Sequence, residues 1–292
     1  MLRPNRSWLF IPGGSEKMLG KAPGIAADAI ILDLEDAVAP DQKETARGLV
    51  QQAILAGNIS GQVYVRVNTL EGGLGEADVA SVTRPGLTGI LLSKTETAAQ
   101  LDALDASLRA AEVSNGMAPG TVTVAALVET PLGVLNALEI ARGARITTVC
   151  LGGEDYSLSL GARRTTEGAE LDFARAMVTT AAAAAVVQPV DTVWTDVRNA
   201  EGLGVECRRM RDLGFTGKLA IHPGQLPVIH EAFSPTPKEG ERARRIVEAF
   251  EASPSGVVAF EGKMVDAPVV ERARRVLAML EAFPPARPNF QP

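Results

Sequence analysis

Two periods run along this chain. Apolar runs of three to seven residues, short enough for buried strands, alternate with stretches whose apolar positions recur at the three-to-four spacing of an amphipathic helix. The runs fall at 8–11, 29–34, 62–67, 89–92, 122–128, 149–151, 190–194 and 218–221. Helical stretches at 15–22, from Asp41 to about 55, and at 97–111, 171–187 and 199–213 lie between them. Asp41 and Glu44 are spaced as a capping box, and the five-alanine run inside 171–187 reads as a packing face. Eight strand–helix units in about 225 residues have the count and size of a (β/α)8 TIM barrel, an α/β fold. The pattern therefore predicts a barrel over residues 1–230 and a C-terminal helical cap segment over 231–292. In the latter, helices at 237–253 and 269–283 flank GVVAFEGKMVDAP, a Gly-bounded stretch outside the barrel count. It is expected to pack as a lid on this subunit or a neighbour. The final PPARPNFQP does not continue a helix and is expected to be a tail or arm.

The polar residues that close these runs change the picture from fold to chemistry. The run 122–128 delivers Glu129, followed at once by Thr130 and Pro131, which suit a helix cap and first position. TTVCLGGEDYS repeats the arrangement and delivers Asp155, 26 residues further on. Arg6 just before the first strand, then Glu35, Asp36, Arg66, Asn68, Lys94, Asp196 and His222, complete the set of polar strand-end residues. A packed core needs none of them, and barrels of this type carry their chemistry at the C-terminal strand ends. Carboxylates crowded on one cavity raise one another's pKa unless a cation sits among them. All-oxygen ligands suit Mg²⁺ or Mn²⁺, whereas two histidines and two cysteines, none at zinc spacing, do not suit Zn²⁺. Glu129 and Asp155 are the candidate metal ligands, with Glu35 and Asp36 holding the metal's waters. The plainer alternative is first-turn charge that favours a helix dipole. His222 before Pro223 reads as structural, and Asp266 before Ala267 and Pro268 is good helix-start chemistry in its own right.

Charge and cysteine usage narrow the partners. A net charge of −6 and a pI near 5.2 argue against nucleic acid or a membrane surface, but leave room for a small anionic ligand at a local basic cluster. Cys150 reads as strand core and Cys207 as helix face, which makes no disulfide framework. The apolar run in MLRPNRSWLFIPGG is too short for a signal peptide, and no apolar span of 18 residues follows, so a cytoplasmic protein is expected.

Six ordered blocks, RSWLFIPG, ILDLEDAV, VYVRVN, ALVETPLG, GGEDYSLSLG and AIHPGQ, together resemble the signature of the citrate lyase β-subunit-like family. The terminal GKMVDAP is similar to the cap of its CoA-ester lyase branch, which includes malyl-CoA and citramalyl-CoA lyases. The resemblance implies a Mg²⁺-dependent barrel that makes or breaks a carbon–carbon bond beside a CoA thioester. It implies metal on Glu129 and Asp155, Arg66 on the substrate carboxylate and developing oxyanion, and Glu35 and Asp36 as supporting acids. Asp266 matches a cap aspartate that reaches the site from a neighbouring subunit, in a homotrimer or a multiple of it. Arg6, Lys17 and Lys21 become candidates for the CoA phosphates, and Lys94 for a substrate contact or a structural ion pair. Two positions depart from the pattern: Ser93 stands where proline is usual, and Asn199 where an acid is expected. Competing functions are a citrate lyase β subunit using an acyl-carrier thioester, metal-dependent pyruvate aldolase chemistry, and a non-catalytic ligand-binding or chaperone-like barrel. The aldolase reading lacks its early-strand histidine, since none precedes position 222.

Overall fold

Strands that are apolar on both faces need cover on both, and a barrel of parallel strands wrapped in helices supplies it. The computed structural model describes residues 4–253 and 256–284. The strands are β1 (Ser7–Pro12), β2 (Ala29–Asp33), β3 (Gln62–Val67), β4 (Gly89–Leu92), β5 (Thr123–Val128), β6 (Ile146–Leu151), β7 (Gln188–Asp191) and β8 (Gly217–Ala220). They pair in sequence order, all parallel, and β1 closes on β8. The architecture is the expected (β/α)8 barrel with C-terminal helices. Trp8, Ile31, Tyr64, Leu91, Leu127 and Leu219 are among the side chains that fill the barrel interior, where the rings of Trp8 and Tyr64 lie 4.6 Å apart. Neighbouring positions such as Ile30, Leu32 and Val65 are equally buried on the other face of the strands.

Several elements differ from the expectation, each for a local reason. β7 ends at Asp191 rather than 194, because the next residues leave the sheet for side-chain partners. Thr192 Oγ1 accepts the Gly153 N–H at 2.8 Å, and the Trp194 carbonyl accepts Gln225 Nε2 at 2.8 Å. The helix after β2 begins at Lys43 with no side-chain cap, so the Asp41–Glu44 capping box does not form. Instead the Lys43 ammonium is drawn inward, donating to the carbonyls of Leu34 and Glu35 and to Asn68 Oδ1. A helix at Leu74–Val82, absent from the expectation, starts from Gly73, which supplies no side-chain cap to mark it in the sequence. By contrast, Thr97 does form a capping box with Gln100, and Thr130 caps the short helix Pro131–Leu135.

Around the outside of β7 and β8, four ionic side chains are sealed from water. Arg175, from the helix Asp172–Ala185, meets Asp191 at 2.9 Å and Glu206 at 2.9 Å. Lys218 meets the same two carboxylates at 2.6 and 2.7 Å. Such a set holds only while it is complete, because removing one partner strands a buried charge.

The chain divides into two compact units, Pro4–Ile229 and the part from His230 onward. In the second, helices Pro237–Glu251 and Ala267–Ala282 pack on each other with a hairpin of β9 (Val258–Phe260) and β10 (Lys263–Val265). Its own core includes Ala243, Ile246, Phe260, Val265, Val270 and Ala273. The 285–292 part of the expected tail lies outside the described residues. Among those described, no helix is long and apolar enough to cross a membrane.

Lys218→Met should cost about 3–5 kcal/mol of folding stability, because Asp191 and Glu206 would then share Arg175 alone. The shift of a urea unfolding midpoint measures this, and a loss below about 1 kcal/mol would show that the network is dispensable.

Candidate active site

The C-terminal ends of the barrel strands surround a cavity of about 340 Å³. Asp33 from β2, Arg66 from β3, Glu129 after β5 and Asp155 after β6 all face it. The site has a cationic half and a carboxylate half.

Strand register builds the cationic half. Asp33 and Arg66 are direct partners on β2 and β3. Arg66 Nε donates to Asp33 Oδ1 at 2.7 Å and Nη2 to Oδ2 at 2.6 Å, the forked pairing that a guanidinium and a carboxylate favour. The guanidinium also lies over the Phe10 ring, 5.0 Å from its centre. Its Nη1 stands 2.9 Å from Glu35 Oε2 and donates to Asp36 Oδ2 at 3.1 Å. Asp33 Oδ1 accepts the Glu35 N–H as well, at 2.9 Å, so one buried carboxylate orders both the arginine and the turn carrying Glu35 and Asp36. Lys94 Nζ holds Glu35 Oε1 at 2.9 Å. Burial raises the Glu35 pKa, against the pull of Arg66 and Lys94.

The carboxylate half depends on close approach. Glu129 is 2% exposed, and Gly152 lies flat against it. A Cβ at Gly152 would stand 2.4 Å from Glu129 Cβ and 2.5 Å from Oε2, so only glycine leaves the carboxylate its place. Lys94 donates its backbone N–H to Glu129 Oε1 at 2.8 Å, and does so from a left-handed conformation with φ +48°. For a residue with a side chain that conformation costs roughly 1–2 kcal/mol. Burial above all, then the charges of Glu35 and Asp155, push the Glu129 pKa up to about 8. Asp155 sits in the first turn of the helix Gly153–Leu160 and makes no ion pair among the described residues.

The pair answers the description of an incomplete oxygen site for a hard cation. Among the described residues no group of three or more His, Cys, Asp or Glu side chains forms a protein-only metal cage. Two carboxylates are nevertheless the usual protein share for Mg²⁺, with water and substrate oxygens making up the rest. The seat that Gly152 keeps open for Glu129, and the all-oxygen donor set of Glu129 and Asp155, fit that ion. Cys150 is fully buried and its thiol is pushed well up by burial, which makes it core rather than nucleophile.

The family model for HpcH/HpaI aldolase/citrate lyase matches residues 6–223. The chain belongs to this family. It is 41% identical to the citrate lyase subunit beta of Escherichia coli, over 96% of this chain and 94% of that one. It is 38% identical to the (3S)-malyl-CoA thioesterase of Cereibacter sphaeroides, over 96% of each chain. Among solved structures, the CitE protein of Mycobacterium tuberculosis in complex with magnesium, acetoacetate and coenzyme A superposes with a TM-score of 0.80 at 33% identity. That match covers 96% of this chain and all of the other.

Within this member of the family, the barrel brings Glu35, Asp36, Arg66, Lys94, Glu129 and Asp155 to one end. Arg6 is not there. It sits at the N-terminal end of β1, where its backbone N–H and Nε both reach Asp28 Oδ2 at 2.8 Å, which corrects the expectation of a substrate or phosphate contact. Asp196 also moves out of the set: it is exposed in the loop after β7, where it accepts the Arg198 N–H. His222 caps the turn Pro223–Gln225 through Nδ1, and Asn68 bridges Lys43 and Asp78. Lys17 is exposed on the short helix Glu16–Leu19, next to Met18, which lines the cavity. Asp266 is the N-cap of Ala267–Ala282 and accepts the Val269 N–H. Asp33 and Lys43 were missed by sequence reasoning. The signal for Asp33 was a carboxylate two residues before Glu35, inside an otherwise apolar strand.

Glu129 should make metal-free stability fall with rising pH. The folded state keeps its proton up to about pH 8, whereas an unfolded carboxyl loses it near 4.5, so the folded state binds more protons between those values. Thermal unfolding in EDTA should show stability dropping across that window in the parent protein and staying flatter in Glu129→Gln. Equal slopes would contradict the burial argument.

Proposed function

We propose that this protein is a Mg²⁺-dependent carbon–carbon lyase acting on a 3-hydroxyacyl-CoA, such as malyl-CoA or citramalyl-CoA, giving acetyl-CoA and a 2-oxo acid. The observation that carries the reading is the placement of Glu129 and Asp155, two carboxylates without a cation of their own, opposite a rigidly held Arg66. Support also comes from membership of the family, and from the magnesium, acetoacetate and coenzyme A bound by the CitE protein of M. tuberculosis.

The chemistry divides among the side chains. A magnesium ion held by Glu129 and Asp155 would supply positive charge for the substrate's hydroxyl and carboxylate oxygens. Arg66 donates N–H to the oxygen that gains charge as the hydroxyl gives its proton to solvent, and its orientation is set in advance by Asp33 and Phe10. The bond between the carbinol carbon and the thioester's α carbon then breaks. Its electron pair passes to the thioester as an enolate, which takes a proton at carbon to become acetyl-CoA. Asp266 is the acid assigned to that proton, and in the reverse direction the base that removes it. That assignment rests on the resemblance of GKMVDAP, as does a homo-oligomer, a trimer or its multiple. Residues 231–292 act in this reading as a lid. Glu35, anchored by Lys94, supports the ion's waters. Lys17 and Lys94 remain the cations assigned to the phosphate or acyl end of the substrate.

The 41% identity to the E. coli citrate lyase subunit favours a second reading, the same bond cleavage on an acyl-carrier thioester. Hydrolysis of malyl-CoA, the activity named for the Cereibacter relative, would release CoA and malate instead.

Incubation with malyl-CoA and citramalyl-CoA diastereomers, with and without Mg²⁺, distinguishes these outcomes. Acetyl-CoA should appear only with Mg²⁺, and should fall about a hundredfold or more in Glu129→Ala and in Asp266→Asn, as loss of a metal ligand or a general acid implies. Free CoA without a 2-oxo acid would indicate a thioesterase, and no turnover of any CoA ester would favour the carrier-protein reading. Full activity in Asp266→Asn would remove Asp266 from the mechanism.

A further inference from the structure

Arg66 has two hydrogen-bonding edges, and the structure treats them differently. The edge formed by Nε and one N–H of Nη2 is taken by Asp33, which is 3% exposed and lies in strand register with it. One face of the guanidinium is covered by Phe10. A ligand in the cavity can therefore reach only the outer edge, made by Nη1 and the second N–H of Nη2.

Two carboxylates already lie on that outer edge, and they are not equivalent. Glu35 is anchored: its side chain is 7% exposed, Oε1 is held by Lys94, and its backbone carbonyl is held by Lys43. Its Oε2 makes no hydrogen bond although it stands 2.9 Å from Nη1. Asp36 is the opposite case, with a side chain 60% exposed, lining the cavity, and with Arg66 as its sole ion-pair partner among the described residues. Its hydrogen bond to Nη1, at 3.1 Å, is also the longest that Arg66 makes.

We infer that Asp36 is a displaceable cover for the substrate-facing edge of Arg66, and that a 2-oxo or 3-hydroxy carboxylate gains the arginine by pushing it aside. This role differs from that of an acid that holds metal waters, and it rests on the proposed reading of the cavity as an oxo-acid site. The exchange replaces one carboxylate on Arg66 by another, so the buried guanidinium is never left unpaired, while Asp36 swings into water at little cost. It also builds in selectivity. A ligand that brings an anionic oxygen competes with Asp36, whereas a neutral acyl group leaves it in place.

Calorimetric titration with pyruvate at constant ionic strength in saturating Mg²⁺ tests the inference, with separate Mg²⁺ titrations of each protein. Asp36→Asn keeps the size of the side chain but removes the competing charge, and Asp36→Ser is a second variant in case the first folds poorly. Either variant should bind pyruvate about two- to fivefold more tightly, the range set by the strength of an exposed ion pair. Mg²⁺ affinity should not change. Pyruvate binding that is unchanged, weakened or absent would overturn the inference, as would weakened Mg²⁺ binding, which would mark Asp36 as a holder of metal waters. A protein that releases no acetyl-CoA from any thioester yet shows the tightening would retire the lyase reading and leave the role of Asp36 standing. Acetyl-CoA release without tightening would do the reverse.

Discussion

A carboxylate that is almost wholly buried beside two other carboxylates is an expensive thing to build, and the end of this barrel is arranged around one. Glu129 is 2% exposed, with Glu35 and Asp155 both acting to raise its pKa. Among the described residues the fold offers it one hydrogen bond, from the backbone N–H of Lys94, and places that donor by forcing Lys94 into a left-handed conformation. It makes room for the carboxylate by leaving Gly152 without a side chain. Such strain and crowding make sense where a divalent cation completes the charge balance, since the cation turns mutual repulsion into shared ligation.

Arg66 is the complementary constraint. Its position follows from the β2–β3 register, which sets Asp33 beside it, and from the Glu35–Asp36 turn that Asp33 and Lys43 order together. A guanidinium fixed on one edge and one face has one direction left to act in, and that direction is the cavity. Catalytic groups held by strand ends in this way need little reorganisation when charge develops.

Much of this was legible in the chain. Eight apolar runs, seven of them closing on a polar residue, with capping chemistry at Thr130, were enough to read the barrel and to bring Glu129, Asp155, Arg66 and Glu35 to one end of it. What stayed hidden depends on three-dimensional register. Asp33 looks like an interruption of an apolar strand until β3 is laid beside it, and Lys43 like a surface lysine until its ammonium reaches the Leu34 carbonyl. Arg6 misled for the same reason: its place just before a strand puts it at the N-terminal end of the barrel, where Asp28 takes it. The Arg175–Asp191–Glu206–Lys218 set was invisible because its members come from two strands and two helices and read singly as ordinary helix or strand charges.

The central claim is that Glu129 and Asp155 form one divalent-cation site, and proton release tests it most directly. At pH 7 a carboxyl group with a pKa of about 8 is mostly protonated and must give up its proton to ligate a metal. Mg²⁺ titration at that pH, in buffers of different ionisation enthalpy, should therefore show about one proton released per ion bound, and almost none in Glu129→Gln. Mg²⁺ that binds without releasing a proton, or with the same release in Glu129→Gln, would place the ion elsewhere and contradict the account.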